Sequence, residues 1–166
     1  MNNDIKYKKL PNSGDHNCFG CSPSNPSGLK MNFFANDQLI VSYLSVPDHL
    51  GGWNHLVHGG VISTMLDEIM SWSAIYLLKK ITLTKSMTID FIKPVYTEQA
   101  LRVEGKILEI VSRHETVVSG FLYNKKEELC AKSNGIFALL SPQISKRLGI
   151  MDDDALRGLE PLLNAR

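Results

Sequence analysis

The sequence predicts an α+β domain in which one long, almost wholly buried helix lies against a curved antiparallel sheet of about six strands. Three observations carry this. From Gly59 to about Lys80 the residues Val61, Ile62, Met65, Leu66, Ile69, Met70, Trp72, Ala74, Ile75, Leu77 and Leu78 cover most of a helical circumference. A helix so patterned has no broad face for solvent. Four β-branched, alternating segments then follow with only short polar breaks between them, which argues hairpins and antiparallel pairing. A single sheet buries a helix on every side only by curling round it and finding a partner for the open face, so the pattern also points to a dimer.

At 166 residues the chain is of one-domain size. Residues 1–28 are polar and hold Asn12-Ser13-Gly14, Pro23, Pro26 and Gly28, so they read as a loop-rich lead-in carrying the C-x-x-C of Cys18 and Cys21. Residues 29–140 form the helix-and-sheet domain. KMNFFAND and QLIVSYLSV flank Asn36-Asp37 as two strands joined by a tight turn. Pro47 to His58, with Gly51-Gly52, is a loop before the helix. TKSMTIDFIKPV, ALRVEGKILEIVSR, ETVVSGFLYN and ELCAKSNGIFALL are the later strands, divided at Tyr96 to Gln99, Arg113-His114 and Asn124 to Glu127. Asn134-Gly135 signals a turn in isolation; inside an apolar run it reads as a strand with a glycine bulge or a close backbone contact. Residues 141–166 form a helical tail, with Asp152 to Asp154 favouring a helix N-terminus. Pro161 is expected to break or kink that helix.

Lysine and arginine total 18 against 17 acidic residues, a net charge of +1. That leaves no footprint for nucleic acid or an anionic membrane. No run of about 18 apolar residues occurs, and MNNDIKYKKLPNSGDHN lacks the apolar stretch of a signal peptide. The expectation is a soluble, cytoplasmic protein. The three cysteines, Cys18, Cys21 and Cys130, contain one close pair only and do not read as a secreted disulfide framework.

Chemistry concentrates in HGGVISTMLDE, residues 58–68. Gly59 and Gly60 fall where unpaired N–H groups and the positive end of the helix dipole collect. Glycine lets another atom approach that backbone closely. A carbonyl set there is polarised, and the oxyanion of its tetrahedral state is stabilised. Two turns on, Asp67 is placed to activate water or to attack the carbonyl itself. The plain alternative is a permissive turn and a solvated acid. Against it, a nearly all-apolar helix offers Asp67 no solvent face, and an unpaired buried charge costs several kcal/mol.

HNCFGCSPSNPSGLKMNF, LVHGGVISTMLDEIMSW and SMTIDFIKPV, in that order, resemble the successive signatures of hotdog-fold acyl-CoA thioesterases of the PaaI-like branch, within the 4-hydroxybenzoyl-CoA thioesterase type of superfamily. The resemblance covers roughly residues 15–140, and H-G-G with an acid seven residues after the second glycine is its most specific part. It implies a hotdog fold and hydrolysis of acyl-CoA to free acid and CoA. It implies the Gly60 amide as oxyanion donor, Asp67 as the catalytic acid, and an active site shared across the interface of a homodimer or homotetramer. Thr84 then assists the attacking water from the partner chain, and His58 orients the loop or the thioester. Gly59, Asn54, Glu68 and Ser71 line the substrate's place. No metal or redox cofactor is implied.

Several of these positions keep a second reading. Glu68, ~100° further round the helix, is either the essential acid or a ridge acid paired with Lys85 or another cation at the dimer interface. Ser71 bonds to Asp67 or packs on a strand, and Thr84 is a site hydroxyl or an ordinary strand threonine. Gly52 stands where several relatives carry asparagine or glutamine, a departure for which Asn54 is the candidate substitute. His16, Cys18 and Cys21 supply at most three local metal ligands where structural zinc normally takes four; no βαβ pattern supports a redox motif, so a packed loop beside the acyl or pantetheine channel is expected. Lys79, Lys80, Lys85, Lys93, Arg113, Lys125 and Lys126 are candidate contacts for CoA phosphates, or solvated surface. The alternative functions are an enoyl-thioester hydratase or dehydratase, whose histidine motif is not evident around His58, and a non-catalytic acyl-CoA-binding module.

Overall fold

The computed structural model describes residues 7–14 and 16–165. The ends of the predicted lead-in and tail, residues 1–6 and 166, and Asp15 lie outside them. Seven strands, β1 (Lys8–Lys9), β2 (Phe33–Ala35), β3 (Ile40–Leu44), β4 (Ile81–Phe91), β5 (Leu101–Ser112), β6 (Glu115–Tyr123) and β7 (Leu129–Leu140), form one sheet in the order β1-β2-β3-β5-β6-β7-β4. Every neighbouring pair is antiparallel. The helices are α1 (Gly59–Leu78), α2 (Pro142–Arg147) and α3 (Asp153–Asn164). The helix and antiparallel sheet are as predicted, with two differences: β1, a two-residue piece of the lead-in paired to β2, is an additional strand, and β4 forms no hairpin with β5 but crosses to the far edge of the sheet and pairs with β7. Two lysines carry no strand pattern of their own.

α1 packs on β3, β4, β5, β6 and β7, and beyond Gly60 none of its residues is exposed. By length and composition alone it would suffice to cross a membrane; here the sheet takes that place. Two cross-strand glycines, Gly105 on β5 and Gly120 on β6, form its seat. A Cβ on Gly105 would lie 2.7 Å from the Ile69 carbonyl oxygen, so the helix backbone sits directly on the strand. Trp72 stacks on Phe33 of β2, with ring centroids 4.2 Å apart. The helix ends at Leu78 because Lys79 takes a left-handed φ of 55° while its N–H closes the last turn on Ile75.

Asn36-Asp37 makes the predicted turn, its Asn36 Oδ1 accepting the N–H groups of Gln38 and Leu39. Asn134-Gly135 stays within β7 in regular register. It is the close-contact case, since a Gly135 Cβ would press on the Phe137 ring. The tail differs from expectation in one respect: α3 runs through Pro161 to Asn164 instead of ending there. A proline in the last turn forfeits a single backbone bond. Leu162 is buried, and the Lys79 ammonium donates to the Ala165 carbonyl at 2.6 Å, which holds the helix end against α1.

β4 carries a bulge. Thr84 pairs with Phe137 and Ser86 with Ile136, leaving Lys85 as the extra residue. Side chains alternate along a strand, so one inserted residue swaps the faces beyond it. Thr82 and Thr84 therefore share the inner face with Met87 and Ile89, which pack against the core.

Candidate active site

His58 is extended, at φ −60° and ψ 137°, and caps α1. Its Nδ1 accepts the Gly60 N–H at 2.9 Å, and its carbonyl accepts from Val61 and Ile62. Among the described residues the Gly59 N–H has no acceptor. The helix start is thus an exposed donor site with one amide open and the next held by an exposed imidazole. His58 is tied to the helix start through its ring.

Asp67 is half-buried and accepts the Thr84 hydroxyl on Oδ1 at 2.6 Å. Burial lifts its pKa above the usual carboxylate range, and the Thr84 bond works against that lift. Thr84 reaches Asp67 of its own chain, a contact the expectation of a hydroxyl acting from the partner does not contain. The bulge at Lys85 is the local device that aims it.

Glu68 turns away from both its anticipated partner and Asp67. Lys85 pairs with Glu115 instead, since the bulge carries Lys85 off the inner face. Glu68 enters the lead-in loop, where its Oε1 meets Cys18 Sγ at 3.0 Å. A Cβ on Gly20 would overlap the Glu68 side chain, so this loop closes on the carboxyl only with glycine between the two cysteines. Burial, then the Cys18 contact, push the Glu68 pKa up to about 8. The Cys21 contact holds the Cys18 thiol down at about 4, and Cys21, facing Cys18 and buried, is raised.

Ser71 does not bond to Asp67. With Glu68, Cys18 and Trp72 it lines a cavity of about 830 Å³ closed by the lead-in and α3. Thr82, whose buried hydroxyl has no protein partner, lines the same space. Nothing brings Asn54 to the site: it is an exposed turn residue at a left-handed φ of 41°. Gly52, by contrast, lies against His58, its missing Cβ 3.6 Å from His58 Cα. Of the seven candidate cations, Lys79, Lys85 and Lys93 are engaged by the α3 terminus, Glu115 and Glu128. Lys80 and Arg113 come together with His114 round a smaller cavity of about 300 Å³. Sequence reasoning missed Thr82 and the α3 wall, because neither carries a motif.

A helix wrapped by an antiparallel sheet, with a carboxylate set two turns inside a His-Gly-Gly start, is the hotdog fold. The sequence profile of the thioesterase superfamily matches residues 54–131, the stretch that holds the helix start, Asp67, Glu68 and Thr84. The sequence has no significant match among curated proteins. Among solved structures, the chain is similar to a Streptococcus mutans UA159 protein bound to acetyl CoA, at 19% identity and TM-score 0.62, over 67% of this chain and 89% of that one. It is also similar to the E. coli PaaI protein of the phenylacetic acid degradation operon, at 16% identity and TM-score 0.61, over 68% and 81%. A hypothetical thioesterase with coenzyme A from Streptococcus pneumoniae TIGR4 aligns at 19% identity and TM-score 0.59, over 64% and 81%. The profile spans the second and third of the three motifs, and the solved structures share the hotdog fold that the resemblance implies.

Proposed function

We propose that this chain hydrolyses acyl-CoA thioesters to free acid and CoA. The observation that carries the reading is Asp67: a half-buried carboxylate, held by Thr84, on the helix whose first amides face solvent. Seven residues put it ~10 Å along the axis from Gly60. Helical side chains lean toward the N-terminus, which shortens the span left for a thioester carbonyl. In the proposed step the carbonyl oxygen takes an amide at the helix start, with Gly60 released by His58. Asp67 then activates water or attacks the carbonyl carbon, and the thiolate of CoA leaves. No metal or redox cofactor is needed for that.

The superfamily match and the CoA compounds bound by two similar proteins support the substrate class. Lys80 and Arg113 are the proposed phosphate contacts, being the two candidate cations gathered at one cavity. A homodimer or homotetramer with the site at the subunit interface is part of the proposal. So is a cytoplasmic location, which suits three unpaired cysteines.

The test is a panel of short, medium, long and aromatic acyl-CoA esters with free thiol detected, run on the parent and on Asp67→Asn. Asparagine keeps size but removes the base, so kcat is expected to fall at least ~100-fold. KM moves little, because Asp67 acts on the transition state. Glu68→Gln is expected to lose less than about tenfold. A folded Asp67→Asn protein working at the parent rate overturns the mechanism; a dead Glu68→Gln beside it moves the acid by one residue.

A further inference from the structure

The C-x-x-C loop supplies two thiols, and spacing alone leaves it short of a metal site. Folding adds a third donor from 47 residues beyond Cys21, because Glu68 of α1 enters the loop. The Cys18 Sγ, Cys21 Sγ and a Glu68 oxygen all lie within 4.8 Å of one another. Tetrahedral zinc, with Zn–S of ~2.3 Å and Zn–O of ~2.0–2.2 Å, wants its donors under ~4 Å apart. A shift of well under an ångström per side chain closes that gap. From these residues we infer that Cys18, Cys21 and Glu68 form a binding site for a thiophilic divalent cation of the zinc class, with its fourth coordination place facing the cavity under α3.

Three further features support the site. First, the loop closes on the sulfur: the Cys21 N–H points at Cys18 Sγ at 3.5 Å. Second, Gly20 leaves the hollow that Glu68 fills, a close approach that a simple surface loop does not require. Third, these three acidic groups are gathered without a lysine or arginine partner among the described residues. Arg157, which lines the same cavity, pairs with Asp154 instead. His16 is not the third ligand, since its ring nitrogens are turned to Asn12 and to the Cys18 N–H. Zinc binding displaces the remaining protons of the cluster to solvent. The open place is taken by water or by a polar atom of a molecule in the cavity, the arrangement of three protein ligands seen where zinc meets substrate. This revises the expectation of a loop that merely packs.

The experiment uses the full chain, purified under reducing conditions, stripped with a chelator and titrated with zinc alone and cobalt alone. The expected result is one equivalent per chain, a thiolate-to-cobalt charge-transfer band, and protection of two of the three cysteines from alkylation by zinc. Cys18→Ser and Cys21→Ser should abolish the band, and Glu68→Gln should weaken binding at least tenfold. Should a variant fail to fold, the band and the thiol protection in the parent chain decide. Sub-stoichiometric zinc, a cobalt spectrum without thiolate character, or a Cys18–Cys21 disulfide forming in place of a metal complex overturns the site. None of these readouts depends on thioester hydrolysis, so the proposed activity stands or falls separately.

Discussion

The pairing of Asp67 with Thr84 sets two opposing influences on one carboxylate. Burial disfavours the charged form and raises the pKa, while the hydroxyl stabilises the charge and lowers it. A general base must be ionised, so the acid limb of kcat/KM follows the pKa of Asp67 in the free enzyme. Thr84→Val removes the lowering contribution, and the limb is expected to move to higher pH; a pH–rate profile of both proteins reads the shift, and an unmoved limb detaches Thr84 from the base. The same shift has a sign for stability. A carboxyl whose folded pKa is raised binds its proton more tightly when folded, so its contribution is complete below the ordinary carboxylate value and is lost as pH rises through the raised one. Asp67→Asn is therefore expected to melt at or above the parent temperature at neutral pH while losing activity. At this scale Asp67 was legible in the sequence because an acid in an apolar helix contradicts its surroundings. The companions of Glu68 were not, because Cys18 lies 50 residues away and only the folded loop brings it in. Nor could spacing show that the His58 ring occupies the very amide assigned to the oxyanion.

Helix α1 and the strands beneath it illustrate what periodicity sees and what it leaves out. The apolar run placed the helix within two residues of its observed end, and the polar breaks at Arg113-His114 and Asn124 to Glu127 marked two hairpins, because both signals are local; the break at Tyr96 to Gln99 marked a strand end but no hairpin, since β4 pairs with β7 and not with β5. The Lys85 bulge has no such signal. It is a property of the pairing between β4 and β7, yet it decides that Thr84 faces the helix and Lys85 does not. Close helix–strand approach is equally a matter of pairing, and it makes Gly105 the sharpest stability test in the sheet. An added methyl would sit 2.4 Å from Ser73 Oγ and 2.7 Å from the Ile69 carbonyl oxygen, and the latter is backbone that cannot swing away. Overpacking of this kind costs ~1–3 kcal/mol or more. Gly105→Ala is expected at the upper end, lowering the urea midpoint without changing the slope. A midpoint equal to the parent's would mean that α1 is seated more loosely than this contact requires.

For the molecule as a whole, the open question is what covers β4. It is an edge strand of eleven residues with β7 on one side and, among the described residues, no strand on the other. Leu83 and Phe91 are 41% and 56% exposed. A long unpaired edge with apolar side chains is a template for pairing with another chain, and proteins that leave one bare tend to aggregate. β4 has no proline, and its bulge at Lys85 lies next to Thr84, which bonds to the carboxylate. A second copy laid along this edge would continue the sheet, cover the apolar residues and wall the space round Asp67 at once. Light scattering at micromolar concentration is expected to give twice the 18.5 kDa of the chain, or four times it if dimers pair again. Since the proposed site lies at that edge, hydrolysis per chain should fall in step with mass as the protein is diluted toward monomer. A stable monomer that hydrolyses thioesters at full rate would remove the shared site and leave Asp67 and the helix start to act within one chain.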